Sequence, residues 1–163
     1  MHPMSCLRCG ACCTRFGVCI TPSDIVRISL ATGMRPSQFV GTVQDYPNRE
    51  REEPALLIGG EKQILVLKRS KENVCFFYSP EGCRIYHHRP LLCRTYPFRK
   101  NMEDLLSRAC PSEWAPEGNE KEQYGRDIFL YEKELAEFRK FADGWNSNGG
   151  GSLKELIAAI SKP

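Results

Sequence analysis

Cys6, Cys9, Cys12 and Cys13 place four thiols within eight residues, in the run Cys-Leu-Arg-Cys-Gly-Ala-Cys-Cys. Ordinary packing does not call for that density, whereas thiolates are strong ligands for zinc and iron. Four more cysteines follow at Cys75, Cys83, Cys93 and Cys110. Folding is expected to bring the two groups together around metal, with all eight as ligands.

The spacing Cys6-x2-Cys9-x2-Cys12 is that of bacterial-type iron–sulfur ferredoxins. A tight loop of this kind lets successive thiolates reach different irons, and Gly10 eases the turn because it tolerates positive φ. The ferredoxin run continues with three residues and then Cys-Pro. Here Cys13 follows Cys12 directly, and adjacent side chains tend to point apart, so one of the pair would serve a second site or stand behind the first. Cys-x2-Cys also suits tetrahedral zinc. Eight thiols make two four-thiolate zinc sites, one cluster or two, and the spacing leaves these open. Cys19 falls outside both groups and reads as a packed thiol.

Thiolates bring charge that must be offset. Arg8, Arg15, Arg84, Arg89, Arg94 and Arg99 all lie within six positions of a cysteine. They are expected to balance that charge and donate to sulfur. Pro90 fixes the backbone ahead of Leu91-Leu92-Cys93 and starts a helical turn that presents Cys93. Arg94 would brace the site, and Tyr96-Pro97-Phe98 would close an apolar wall that excludes water and tunes the potential of a bound iron. Arg84, Arg89, Arg94 and Tyr96 are therefore the residues expected around the cofactor. His87 and His88 have the chemistry to ligate metal or move protons, but they read as polar surface.

Taken together, Cys6-x2-Cys9-Gly10-x-Cys12-Cys13, Cys75-x-Phe77, Cys83-x-Ile85-Tyr86, Arg89-Pro90, Cys93-Arg94, Tyr96-Pro97-Phe98 and Cys110 resemble the YkgJ-like cysteine-cluster family, a zinc- or iron-chelating domain. The resemblance spans residues 6–111 and agrees in both order and spacing. It implies a metal-binding domain, with iron–sulfur chemistry among its members. Some are labelled iron–sulfur oxidoreductases, and a related cluster occurs in flagellin lysine methylases. It does not assign a reaction to this chain. Cys19, His87 and His88 are not part of the pattern.

These residues need a scaffold. The expected fold is α+β: a small metal-centred domain of short antiparallel strands with flanking helices, followed by C-terminal helices. Residues 1–145 form the cysteine-cluster domain with its long helix, and residues 146–163 a glycine-rich joint and a short terminal helix. Residues 14–20 read as a short strand or extended turn. Thr21-Pro22-Ser23-Asp24 starts a helix, with Ile25, Ile28, Leu30 and Ala31 as its apolar stripe and Gly33 as its stop. Pro36 begins a second helical turn through Phe39 and Val40. Residues 45–54 form a charged loop. Residues 55–58 and 63–68 read as strands around Gly59-Gly60, and residues 74–78 as a third. Tyr124, Ile128, Tyr131, Leu135 and Phe138 recur at helical spacing, which predicts a helix over 124–143 ended by Gly144. Ser152 and Glu155 form a capping box for the last helix.

The chain has 163 residues and a formal net charge of +3, near the size of one domain. There is no apolar run of membrane-spanning length and no secretory leader pattern. Cytoplasmic location is expected, where cysteines read as ligands before disulfides. Nucleotide loops, nucleophile elbows and the Cys-x3-Cys-x2-Cys of radical enzymes using S-adenosylmethionine are missing. No basic aromatic stripe points to nucleic acid. The leading reading is an iron or iron–sulfur protein, with one or two [4Fe–4S] clusters, acting as a redox or accessory module beside a protein redox or client partner. The alternatives are a structural zinc domain that mediates protein interaction, and metal delivery or storage. Whether the chain is an enzyme stays open.

Overall fold

The computed structural model describes residues 6, 8–46, 52–98, 100, 110 and 115–162. Within them the fold is α+β, as read from the sequence. The expectations for Pro47, Asn48, Arg49, Glu50, Arg51, Arg99 and the start of the chain lie outside the described residues. No helix among the described residues is long and apolar enough to cross a membrane.

A three-stranded antiparallel sheet lies at the centre, in the order β1-β3-β2. Strand β2 (Leu56–Ile58) and strand β3 (Glu61–Leu67) are joined by Gly59 and Gly60, whose φ values of 60° and 86° are what a two-residue type I′ hairpin demands. Strand β1 (Val40–Gln44) pairs along the other edge of β3, with Val40 opposite Leu67. The sequence reading had carried a helical turn through Val40, the first residue of this strand, and had assigned residues 41–44 to no element. That turn exists as α3 (Pro36–Phe39), and the chain leaves it directly into the strand.

Beyond the end of short β2, residues 18–20 cover the remaining edge of β3. Ile20 N donates to Leu65 O at 3.2 Å and Leu67 N to Val18 O at 2.9 Å. The alternation of β3 then buries both its faces. Leu65 and Leu67 join the main core with Val18, Ile20, Phe39 and Phe77. Ile64 and Val66 pack with Cys19.

Helix α2 (Pro22–Thr32) begins as the sequence indicates, with a capping box between Thr21 and Asp24 and a left-handed Gly33 at its end. Ile25 and Ile28 are fully buried, but Leu30 is 82 % exposed. Leu30 lies about 140° around the helix from Ile25 at 3.6 residues per turn, so it cannot share the buried face.

The third expected strand, over 74–78, is mostly turn. Cys75 makes an isolated antiparallel bridge with Arg69, and Tyr78–Ser79 (β4) pairs with Gly82–Cys83 (β5) in a two-residue ladder. One helical turn, α4 (Leu91–Thr95), follows. Helix α5 (Gly118–Ser147) buries Tyr124, Ile128, Tyr131, Leu135 and Phe138. It starts before the expected Tyr124 and runs through Gly144, where it was expected to stop. Its last turn is anchored to the sheet, because Trp145 Nε1 donates to Leu57 O at 2.9 Å and Asn146 Oδ1 accepts from Leu57 N at 2.7 Å. Those bonds outweigh the ~1 kcal/mol that glycine costs inside a helix. Helix α6 (Leu153–Ile160) carries the predicted Ser152–Glu155 capping box, and its Leu156 and Ile160 join the main core.

Candidate metal centre

Cys6, Cys9, Cys12, Cys13, Cys75, Cys83, Cys93 and Cys110 all line one cavity of about 320 Å³. Cys19 does not line it. That thiol is 1 % exposed and packs against Ile64 and Val66 on the far face of β3.

The first group is presented by a helical turn, α1 (Ala11–Arg15), rather than by a loop alone. Gly10 caps it with φ 74°, and Thr14 N donates back to Gly10 O at 3.0 Å. The ring of Tyr78 covers Gly10 so closely that a Cβ there would stand 2.5 Å from Cε2. Both the backbone angle and the space therefore favour glycine. Cys12 and Cys13 follow on the turn with their sulfurs 4.0 Å apart. Their adjacency does not send them to separate places, since both line the same cavity.

The second group is tied to the first through the backbone. Cys75 N donates to Cys13 O at 2.9 Å. Cys83 ends the β4–β5 ladder, and Cys93 sits in the middle of α4.

Crowding sets the protonation of these thiols. A hydrogen bond from the Cys13 thiol pushes Cys12 down to about 6, against the opposing effect of burial. The same bond pushes Cys13 up, with burial adding to it. Burial raises Cys75 and Cys83, and it raises Cys93 well above the usual thiol range, with Cys12, Cys75 and Cys83 adding like-charge repulsion. Without a cation, only part of this set can be thiolate. Metal binding would supply the positive charge that lets the rest ionise.

Of the residues expected around the cofactor, Arg89 and Tyr96 line the cavity. The Arg89 guanidinium lies 3.9 Å from the centre of the Tyr86 ring, and Arg8, also in the lining, lies 3.8 Å from it. Arg89 Nη1 donates to Tyr86 O at 2.6 Å, while its buried Nε has no hydrogen-bond partner among the described residues. The Arg89 charge favours the thiolate forms of Cys12 and Cys83. Arg84 is outside the lining. It is exposed over Phe76 and donates to the Phe76 carbonyl. Arg94 is also outside it and forms an ion pair with Asp127 of α5 at 2.5 Å. Arg15 is exposed at the end of α1. Arg99 and Pro111 lie outside the described residues. His87 and His88 are exposed and do not reach the cavity.

The sequence reading did not single out Phe16, Tyr78, Glu53 or Tyr131, which complete the wall. Tyr131 had been read only as part of the buried stripe of α5. It donates to Glu53 Oε1 at 2.5 Å, and its phenol is pushed well up by burial and by that carboxylate.

The donor set fits a soft metal. Tetrahedral thiolate zinc at ≈ 2.3 Å per bond needs sulfurs about 3.8 Å apart. Among the described residues, no three His, Cys, Asp or Glu side chains are grouped as for a single ion. The thiols instead share the lining of one cavity of about 320 Å³.

An α+β scaffold that gathers eight cysteines into one cavity defines a cysteine-cluster, metal-chelating module. Residues 5–111 match the CxxCxxCC family, described as a putative zinc- or iron-chelating domain, and the chain belongs to that family. No curated protein and no solved structure matched the chain.

Proposed function

We propose that the eight-cysteine cavity binds iron as an iron–sulfur centre, and that the protein works in the reducing cytoplasm as a small redox or accessory module for a protein partner. The observation that carries this reading is that the cavity takes in every cysteine of the two groups, excludes Cys19, and is far larger than one ion. Thiolate-held iron supplies one-electron chemistry when bound. The chain's own residues would do the rest. Arg8 and Arg89 offset negative charge at the wall, and the buried Nε of Arg89 is a donor of the kind that tunes cluster potential. Phe16, Phe77, Tyr96 and Phe98 keep much of the wall apolar.

The test is purification without oxygen, followed by iron, zinc and acid-labile sulfide per chain and a visible spectrum before and after dithionite. Iron and sulfide in matching amounts, with a spectrum that bleaches, is the expected result. Zinc without sulfide or colour would replace this reading with a thiolate-held scaffold that serves protein interaction.

A further inference from the structure

We infer that Asp24 is the positioning residue for Cys93: its carboxylate accepts the hydrogen bond from the backbone N–H that opens the helical turn carrying that cysteine.

Helix α4 is only five residues long and cannot fix itself. The first N–H groups of a helix have no partner within it. A polar residue just before the helix commonly supplies one, but that position is Pro90, which makes no side-chain cap. Leu91 N donates instead to Asp24 Oδ1 at 3.1 Å, across 67 residues of sequence. Leu91 and Cys93 share one turn, so whatever holds Leu91 sets where the Cys93 sulfur stands.

Asp24 suits this task because it is itself immobilised. It is 0 % exposed. Its Oδ2 accepts from Thr21 N at 3.1 Å, and its Oδ1 also accepts from Arg27 Nη2 at 2.7 Å. Arg27 in turn meets both oxygens of Glu134 on α5, at 3.0 and 3.1 Å, and Thr21 Oγ1 donates to Glu134 Oε2 at 3.1 Å. Helix α2 therefore grips the carboxylate directly, and α5 braces it through Arg27. At the other end of α4, Arg94 is held by Asp127. Burying charges costs free energy even when they are paired, so such a network adds little net stability and its return here is geometric definition.

The part of Cys93 as a ligand rests on the proposed function, whichever metal binds, whereas its positioning by Asp24 does not. The test compares Asp24→Ala with Glu134→Gln, which disturbs the same network without touching the Leu91 bond, and with Asp24→Asn, which keeps an oxygen for Leu91 N. Three quantities are read: metal per folded chain, melting temperature, and the alkylation rate of Cys93 in metal-free protein by peptide mass spectrometry. The expected result is that Asp24→Ala loses more than half its metal and exposes Cys93 by about tenfold, the order of one lost buried hydrogen bond. Asp24→Asn should restore both, and Glu134→Gln should lower the melting temperature alone. Equal metal content and equal Cys93 protection in Asp24→Ala and Glu134→Gln would overturn the assignment. If Asp24→Ala does not fold, Asp24→Ser takes its place, because its shorter side chain cannot serve both Thr21 and Leu91. A wild-type chain without metal would defeat the proposed function, and the Cys93 rates would still decide this inference.

Discussion

The arginines of the two sides of the molecule are satisfied differently. On the side of the long helix, Arg27, Arg94, Arg126 and Arg139 each meet a carboxylate within 4 Å. In the lining of the cysteine cavity, Arg8 and Arg89 meet the ring face of Tyr86 and Arg89 also donates to the Tyr86 carbonyl, and no ion pair to them occurs among the described residues. The apolar contacts divide the same way. Helix α5 buries Ile128, Tyr131, Leu135, Phe138 and Ala142, whereas α1, which presents Cys12 and Cys13, buries no residue. The helical side carries its own ion pairs, although Phe138 and Ala142 share the main core with Cys75, Phe77 and Ile85. The cavity side places thiols and cations around a space and leaves their neutralisation to what binds there.

Metal removal should break this comparison open most widely. Structural thiolate sites are worth on the order of 10–16 kcal/mol in small zinc peptides at neutral pH, more than the whole stability of many domains. Stripping the metal under reducing conditions should collapse amide protection over 8–16 and 75–95, while amides over 128–142 stay protected. Hydrogen exchange followed by mass spectrometry reads both regions in one experiment. Uniform loss over the whole chain would show that the helical side also depends on metal.

Two substitutions should then separate the sides. Gly10→Ala forces a side chain into a left-handed backbone, at about 1–2 kcal/mol, and against Tyr78, at about 1–3 kcal/mol of overpacking. Metal content should fall with it, since Cys9 and Cys12 flank the turn. Leu135→Ala should cost about 2–5 kcal/mol by leaving a hole beside Leu91 and Tyr131. Its metal content per folded chain, measured well below its melting temperature, should fall less than that of Gly10→Ala, since Leu91 keeps its bond to Asp24 Oδ1. Metal analysis and thermal unfolding of the two variants check the crossing, and the same loss of metal in both would erase the distinction.

The two sides also differed in how legible they were. Helix caps and apolar periodicity are local signals, so Thr21–Asp24, Ser152–Glu155 and the buried stripe from Tyr124 to Phe138 could be read directly. The end of α5 could not, because the bonds that carry it past Gly144 come from Leu57 and Ala55, about ninety residues away. Strand β1 was missed because Pro36 signalled a helix whose single turn is followed at once by β-branched Val40, Thr42 and Val43. At the site, ligand chemistry made the eight cysteines stand out. The fate of the arginines was not readable, since a guanidinium near a cysteine in sequence can turn towards sulfur, a ring or a distant carboxylate. Arg94 turned to Asp127 and Arg89 to Tyr86. Asp24 looked like a helix cap and nothing more, because its bond to Leu91 exists only once the chain has folded.

The smallest expected effect belongs to Cys19, and it sharpens the boundary between the sides. Cys19 stands six residues from Cys13, yet it is 1 % exposed on the face of β3 opposite the main core, against Ile64 and Val66. The strand period is the cause, since Val18 and Ile20 point into the main core and Cys19 between them must point away. Cys19→Val nearly conserves volume among aliphatic neighbours and should cost less than about 1.5 kcal/mol. Metal content and visible spectrum should match the wild type, whereas Cys9→Ser and Cys93→Ser should lower both. Loss of metal in Cys19→Val would mean that the far face of β3 communicates with the cavity, through the backbone that continues from Cys13 or through a ligand exchange the fold permits. The division between an ion-paired side and a metal-dependent one would then run elsewhere than along the sheet.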